Sequence, residues 1–147
     1  MSFDFKILDG DFVLGSNGDL ERVENTEKLV QDILKICITP LGSNVFFPWY
    51  GSPIGKSLIG NALDMEFMST MASSQLTSAL EALQANQQEQ AKGQRVTPFE
   101  HMAAISQVRI ERNDIDPRYF SVLVRVLTRA LTEASTEFTV KPIQGSL

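Results

Sequence analysis

"SQVRIERNDIDPRYFSVLVRVLTR", residues 106–129, holds two runs of alternating apolar residues on either side of a turn. Val108 and Ile110 alternate with Arg109 and Glu111, and beyond Asn113 to Pro117 come Phe120, Val122, Val124 and Val126 at every second position. A period of two sends successive side chains to opposite faces of a strand, so each run offers one apolar face. The opposite face of the second run, Leu123, Arg125, Leu127 and Arg129, is mixed apolar and basic. A third run, "STEFTVKPI", alternates Phe138 and Val140 with Glu137, Thr139 and Lys141. Together they predict an antiparallel three-stranded meander with one buried face, and Pro142 marks where pairing stops because it has no N–H to donate.

Upstream, the period lengthens to that of a helix. Leu29, Val30, Ile33, Leu34 and Cys37 recur at helical spacing, with Asn25 as the expected N-cap, Glu27 in the first turn, and Pro40 and Gly42 as the stop. A second apolar stripe runs from about Leu63 through Phe67, Met71, Leu76, Leu80 and Leu83. After it the stripe dissolves into "QANQQEQAKGQR", which reads as either a solvated helical extension or a loop, with Gly93 favouring a stop. Before both helices, "DFVLGSNGDLERV" at residues 11–23 predicts a short hairpin around Asn17-Gly18, a pair suited to positive φ. The order hairpin, helices, strands is an α+β arrangement: two to three helices including one long one, and a C-terminal antiparallel sheet. We expect one domain over 1–147, in which 1–97 form a mainly helical docking half with the N-terminal hairpin and 98–147 form the meander.

The chain has 147 residues, 43% of them hydrophobic, enough for one core but not two. Its net charge of −5 is uneven: residues 1–32 carry eight acidic side chains against three basic ones, and the rest carries equal numbers. That acidic end disfavours nucleic acid and anionic membranes and suits either a basic protein surface or simply a solvated face that aids solubility. No apolar run approaches the roughly 20 residues of a membrane span, and the acidic start lacks a signal peptide's basic and apolar regions. The single cysteine permits no intramolecular disulfide and nothing asks for an oxidising compartment.

Catalytic patterns are sparse. His101 is the sole histidine, with no second His or Cys near it, so the spacing of a zinc site is missing. Cys37 falls on the apolar face of the first helix and reads as a small buried hydrophobe. "GSPIGKS" at 51–57 is too short for a phosphate-binding loop. Glu100, Asp114 and Asp116 are the acids to nominate for a glycosidase pair, yet "NDIDP" is turn-forming for local reasons. The residues therefore indicate no enzyme, no cofactor and no metal.

Between the helices lies "TPLGSNVFFPWYGSPIG", residues 39–55. Pro48 and Pro53 fix their own φ and bias Phe47 and Ser52 toward extended backbone. Rigid aromatics lose little entropy on docking and concentrate at interface hot spots. The expectation is a stiff connector that closes the core with some of Phe46, Phe47 and Trp49 while shaping a docking surface around Trp49, Tyr50 and Gly51.

This segment also carries a resemblance. Gln31, Ile33 and Leu34, then Thr39 and Gly42, then Pro48, Tyr50 and Gly51, then Leu58, resemble the sheath-initiator family of baseplate wedge proteins in contractile-tailed phages and related injection machines. Members of that family are often labelled lysozyme-like. The family's Glu-Pro-Arg motif has as its counterpart Glu100-His101-Met102, which retains the acid alone. The resemblance implies a structural subunit of the virion tail baseplate, assembled in the host cytoplasm in six copies. It would link the wedge to the sheath, with sheath, wedge and tail-tube or hub proteins as neighbours, and would start sheath assembly by presenting strands to the first sheath layer. In that reading Glu100 faces a partner, and Arg125, Arg129, Phe138, Val140 and Lys141 border the accepting edge, their charge discouraging stray pairing and suiting an acidic partner. The helical half would dock in the wedge with an apolar helix face partly uncovered. A peptidoglycan-cleaving enzyme and a generic adaptor domain are the alternatives.

Overall fold

The computed structural model describes residues 2–55, 65–116 and 118–140. Its elements run β1 (Asp4–Phe5), β2 (Ile7–Leu8), β3 (Asp11–Phe12), β4 (Arg22–Val23), α1 (Asn25–Ile38), α2 (Met65–Gly93), β5 (Met102–Arg112), β6 (Phe120–Thr128) and β7 (Glu133–Val140). The order is that of the expected α+β fold. Leu63, Leu58, Lys141 and Pro142, named above, lie outside the described residues.

The sheet is an antiparallel meander in the order β5-β6-β7. Phe120, Val122, Val124 and Val126 of the central strand are buried, as their alternation predicts. In β5 the alternation breaks twice, with register shifts between Met102 and Ala104 and between Ile105 and Gln107. Each bulge turns the chain by one residue, so Met102, Ile105 and Val108 share the core face at steps of three before Ile110 resumes the period of two. β7 begins at Glu133, two residues earlier than its sequence pattern suggested, because a tight turn with Leu131 at φ 64° returns Thr132 to within 2.9 Å of the Thr128 amide.

Both helices cover one face of the sheet, α2 over β5 and α1 over β7, and they touch each other. Leu29, Ile33, Ile36 and Cys37 of α1 meet Met68, Ala72, Leu76, Leu80 and Leu83 of α2 in one continuous core. Burying each such large side chain contributes about 1.5–3 kcal/mol. The α2 stripe is shifted one residue from the expected positions at its start: Met68 and Ala72 are buried, whereas Phe67 is exposed. The buried stripes are covered within the chain, while Phe67 on α2 and Ile38 at the end of α1 remain exposed, so the apolar helix surface is only partly uncovered, as expected.

Two further corrections concern helix ends. Asn25 does not cap α1; the cap position is Glu24, and Asn25 sits at φ 54° with its Oδ1 accepting from the Thr97 hydroxyl at 2.7 Å. The glutamine-rich stretch is the helical extension of the two alternatives and ends at Gly93 as expected; what is corrected is that it is not wholly solvated. Gln87 is 2% exposed: its Nε2 donates to the Glu100 carbonyl at 3.0 Å and its Oε1 accepts from the Met102 amide at 2.9 Å. Gln84 Nε2 donates to the Met102 and Ala103 carbonyls.

The N-terminal hairpin is present, with Gly18 at φ 83° and Leu14 bridged to Leu20. It belongs to a larger ribbon in which β1 pairs with β4 and β2 with β3. Asp9 and Gly10, at φ 52° and 83°, form the additional turn. The main chains of Lys6, Val13 and Glu21 bond to one another where the three segments meet. Gln31 of α1 holds this ribbon as Gln87 holds β5: its Oε1 accepts from the Ile7 amide at 2.9 Å and its Nε2 donates to the Phe5 carbonyl at 2.8 Å. Lys35 adds an ion pair to Asp4.

Candidate docking surfaces

The segment after α1 closes on itself as a loop. The Ser52 amide donates to the Thr39 carbonyl at 2.9 Å, the Leu41 amide to the Ser52 carbonyl at 3.2 Å, and the Ser52 hydroxyl to the Cys37 carbonyl at 2.7 Å. Gly51 makes this closure possible, since at φ 114° any Cβ would lie 2.5 Å from the Thr39 carbonyl oxygen. At the tip Asn44 Oδ1 accepts from the amides of Phe46 and Phe47, a side-chain turn that fixes the apex without a glycine.

This closure sorts the aromatics. Tyr50 packs against the core and Ile54 is buried within it. Phe46, by contrast, is 87% exposed, and Phe47 and Trp49 stand in edge-to-face contact with ring centroids 6.0 Å apart, each about half exposed. The expectation that Phe46, Phe47 or Trp49 plugs the core is therefore corrected: Tyr50 and Ile54 do so. Burial pushes the Tyr50 phenol above its ordinary pKa, with Lys35 opposing. Burial alone would lower the Lys35 ammonium, but the hydrogen bond to Asp4 and the charges of Asp32 and Asp4 outweigh it and raise the pKa. Cys37 is buried, its thiol pushed up to about 12, as befits an unreactive core residue.

A second surface was not read from the sequence. On the ribbon, Phe3, Phe5, Ile7, Leu8, Phe12 and Leu14 are exposed. The rings of Phe3 and Phe5 and of Phe5 and Phe12 meet edge to face, and the Arg22 guanidinium lies 4.3 Å from the Phe3 centroid. Contiguous exposed apolar surface marks interaction sites. The signal was present in the alternation Phe3, Phe5, Ile7 followed by Asp9-Gly10.

The sheet residues separate. Val140 is buried and Phe138 half-buried on the core side of β7. Arg125 is on the central strand, 3.5 Å from Glu133, and Arg129 lies in the turn after β6 with its amide donating to the His101 carbonyl. Neither arginine lies on an edge strand, which corrects their expected placement. Glu100 is 1% exposed, and among the described residues neither of its carboxylate oxygens has a hydrogen-bond partner; His101 Nε2 is likewise buried and unpaired. Burial, with Arg129 nearby, lowers the His101 pKa. Glu100 thus points inward, away from the surface where a partner was expected to meet it. Of the other nominated acids, Asp116 is bound by Arg118 at 2.9 Å, which holds its carboxyl below the usual range, and both it and Asp114 belong to the turn organised by Asn113 Oδ1.

No known protein family matches this sequence, and no curated protein is significantly similar to it. Among solved structures, one described as a tail lysozyme from Geobacter sulfurreducens shares the fold, with a TM-score of 0.60 at 13% identity over 92% of this chain and 100% of that one. The likeness is one of fold.

Proposed function

We propose that the protein is a structural component of a contractile-tail baseplate, linking the wedge to the sheath and starting sheath assembly by presenting strands to the first sheath layer. The observation that carries this reading is the three-stranded antiparallel sheet at the end of the chain, backed on one face by both helices and offering an edge of regular strand. An extended partner segment adds to such an edge by main-chain hydrogen bonds. The fold shared with a tail-named protein agrees with it.

In this reading Phe46, Phe47 and Trp49 on the loop and the aromatics of the ribbon form the wedge-facing side. A non-catalytic role is supported by the burial of Glu100, which no polysaccharide reaches, and by the engagement of Asp116 with Arg118. The test is assembly: the tagged chain expressed with the tail genes of its source should be found in purified baseplates together with sheath, and deleting its gene should leave tubes without sheath. Cell-wall clearing by the purified chain, lost in Glu100→Gln, would overturn the reading in favour of an enzyme.

A further inference from the structure

The two edges of the sheet are not equivalent. Along β5 the ladder is broken twice by bulges, and the start of the strand is capped from α2 by Gln84 and Gln87, whose amides occupy main-chain groups of residues 100–103. Bulges and covered main chain are the means by which sheets blunt an edge. β7 has neither. Its register against β6 is unbroken from Glu133 to Val140. Among the described residues, its outward main chain makes no further hydrogen bond.

The turn fixes which groups point outward. The bond from the Thr128 amide to the Thr132 carbonyl makes that pair hydrogen-bonded, and in an antiparallel ladder hydrogen-bonded pairs alternate with open ones. Val126 with Ala134, Val124 with Thr136 and Val122 with Phe138 are then the bonded pairs, so the amides and carbonyls of Glu133, Ser135, Glu137 and Thr139 face outward. The side chains of these same four residues are exposed on the sheet face away from the helices. Glu137 takes a hydrogen bond from the Ser121 hydroxyl at 2.8 Å, and Glu133 lies 3.5 Å from Arg125, so both carboxylates are held on that open face by partners on β6, one strand in from the edge.

We propose that β7 is the accepting edge, and that it takes a strand carrying Lys or Arg opposite Glu133 and again opposite Glu137, with apolar residues between that extend the core face beside Phe138. This rests on the strand-docking reading above and reverses the partner charge expected from Arg125 and Arg129. Directly opposed unlike charges stabilise a strand pair, and like charges oppose it. A second copy of β7 laid on this edge would bring glutamates against glutamates, so the same two residues disfavour self-pairing, in keeping with the net charge of −5. Because the basic positions are four apart, the pattern reads the same in either direction.

The test is amide hydrogen exchange on the intact chain with the peptide Thr-Val-Lys-Val-Ser-Val-Lys and, in parallel, its counterpart with both lysines replaced by glutamate. With the lysine peptide at millimolar concentration the amides of Ser135, Glu137 and Thr139 should exchange about tenfold more slowly. Those of β5 and the glutamate-peptide samples should be unchanged, and added salt should weaken the effect. The double variant Glu133→Lys, Glu137→Lys, its fold checked by circular dichroism, should invert the peptide preference. Protection along β5, equal protection by both peptides, or none with either would overturn the proposal. Sheath assembly undiminished in the charge-reversed chain would also sink it while leaving the proposed function intact. The converse result, the peptide preference without incorporation into tails, would sustain this inference and remove that function.

Discussion

The side-chain amide of Gln87 stands in for a neighbouring strand at Met102, accepting the Met102 amide at 2.9 Å while donating to the Glu100 carbonyl at 3.0 Å. Gln31 repeats the arrangement at Ile7 and Phe5, so one residue on each helix grips main-chain groups of strands that are each paired to a single neighbouring strand. Buried main-chain groups left without partners are costly, and these two amides meet that requirement at both ends of the molecule.

Gln87→Leu should remove both bonds and leave the Met102 amide and Glu100 carbonyl buried without partners, a loss of about 2–4 kcal/mol. Gln87→Glu keeps the acceptor but sets oxygen against the Glu100 carbonyl, and should be at least as harmful. Urea denaturation with unchanged m-value measures both.

Gly51→Ala places a methyl against the Thr39 carbonyl at a φ that L-residues rarely adopt. The expected destabilisation is about 2 kcal/mol or more. Quenched or shifted Trp49 fluorescence should report that the loop has reopened, and an unchanged melting temperature would contradict the closure described above.

Phe46→Ser should do the opposite. Phe46 is nearly free of its own chain, so stability should change by less than about 0.5 kcal/mol. Recovery in purified baseplates should nonetheless fall, and a stable variant that incorporates normally would remove the loop tip from the wedge-facing surface.

The buried His101 predicts the direction of acid sensitivity. Its folded pKa lies below the unfolded value of 6.5, so the folded chain resists protonation that the unfolded chain accepts. Stability from this group is complete above pH 6.5 and is lost as pH falls through the folded pKa. His101→Gln should therefore flatten the decline in melting temperature below neutral pH, and an identical slope would assign that decline to other groups.

Much of the fold was legible from residue order. Val122, Val124 and Val126 had to share one face because a strand alternates sides, and Leu76, Leu80 and Leu83 had to share a stripe because a helix turns by 100° per residue. The bulges of β5 were not legible: Ala103 and Ser106 look like ordinary strand residues, and their extra position appears once β6 supplies a register to break. The glutamine stretch read as either a solvated helical extension or a loop, since a polar side chain facing inward is recognised by the main-chain groups it meets.

The docking surfaces divide in the same way. By itself the sequence determined an α+β chain, a stiff aromatic connector and an acidic N-terminal end, because period, proline geometry and charge are properties of neighbouring residues. Tertiary structure decided which aromatics stay in water, where Arg125 and Glu133 stand relative to the edge, and that among the described residues β5 rather than β7 is capped by helix side chains. Those outcomes depend on contacts between segments far apart in the chain: Gln84 and Gln87 reach β5, no described helix side chain caps β7, and no local pattern records which strand a helix protects.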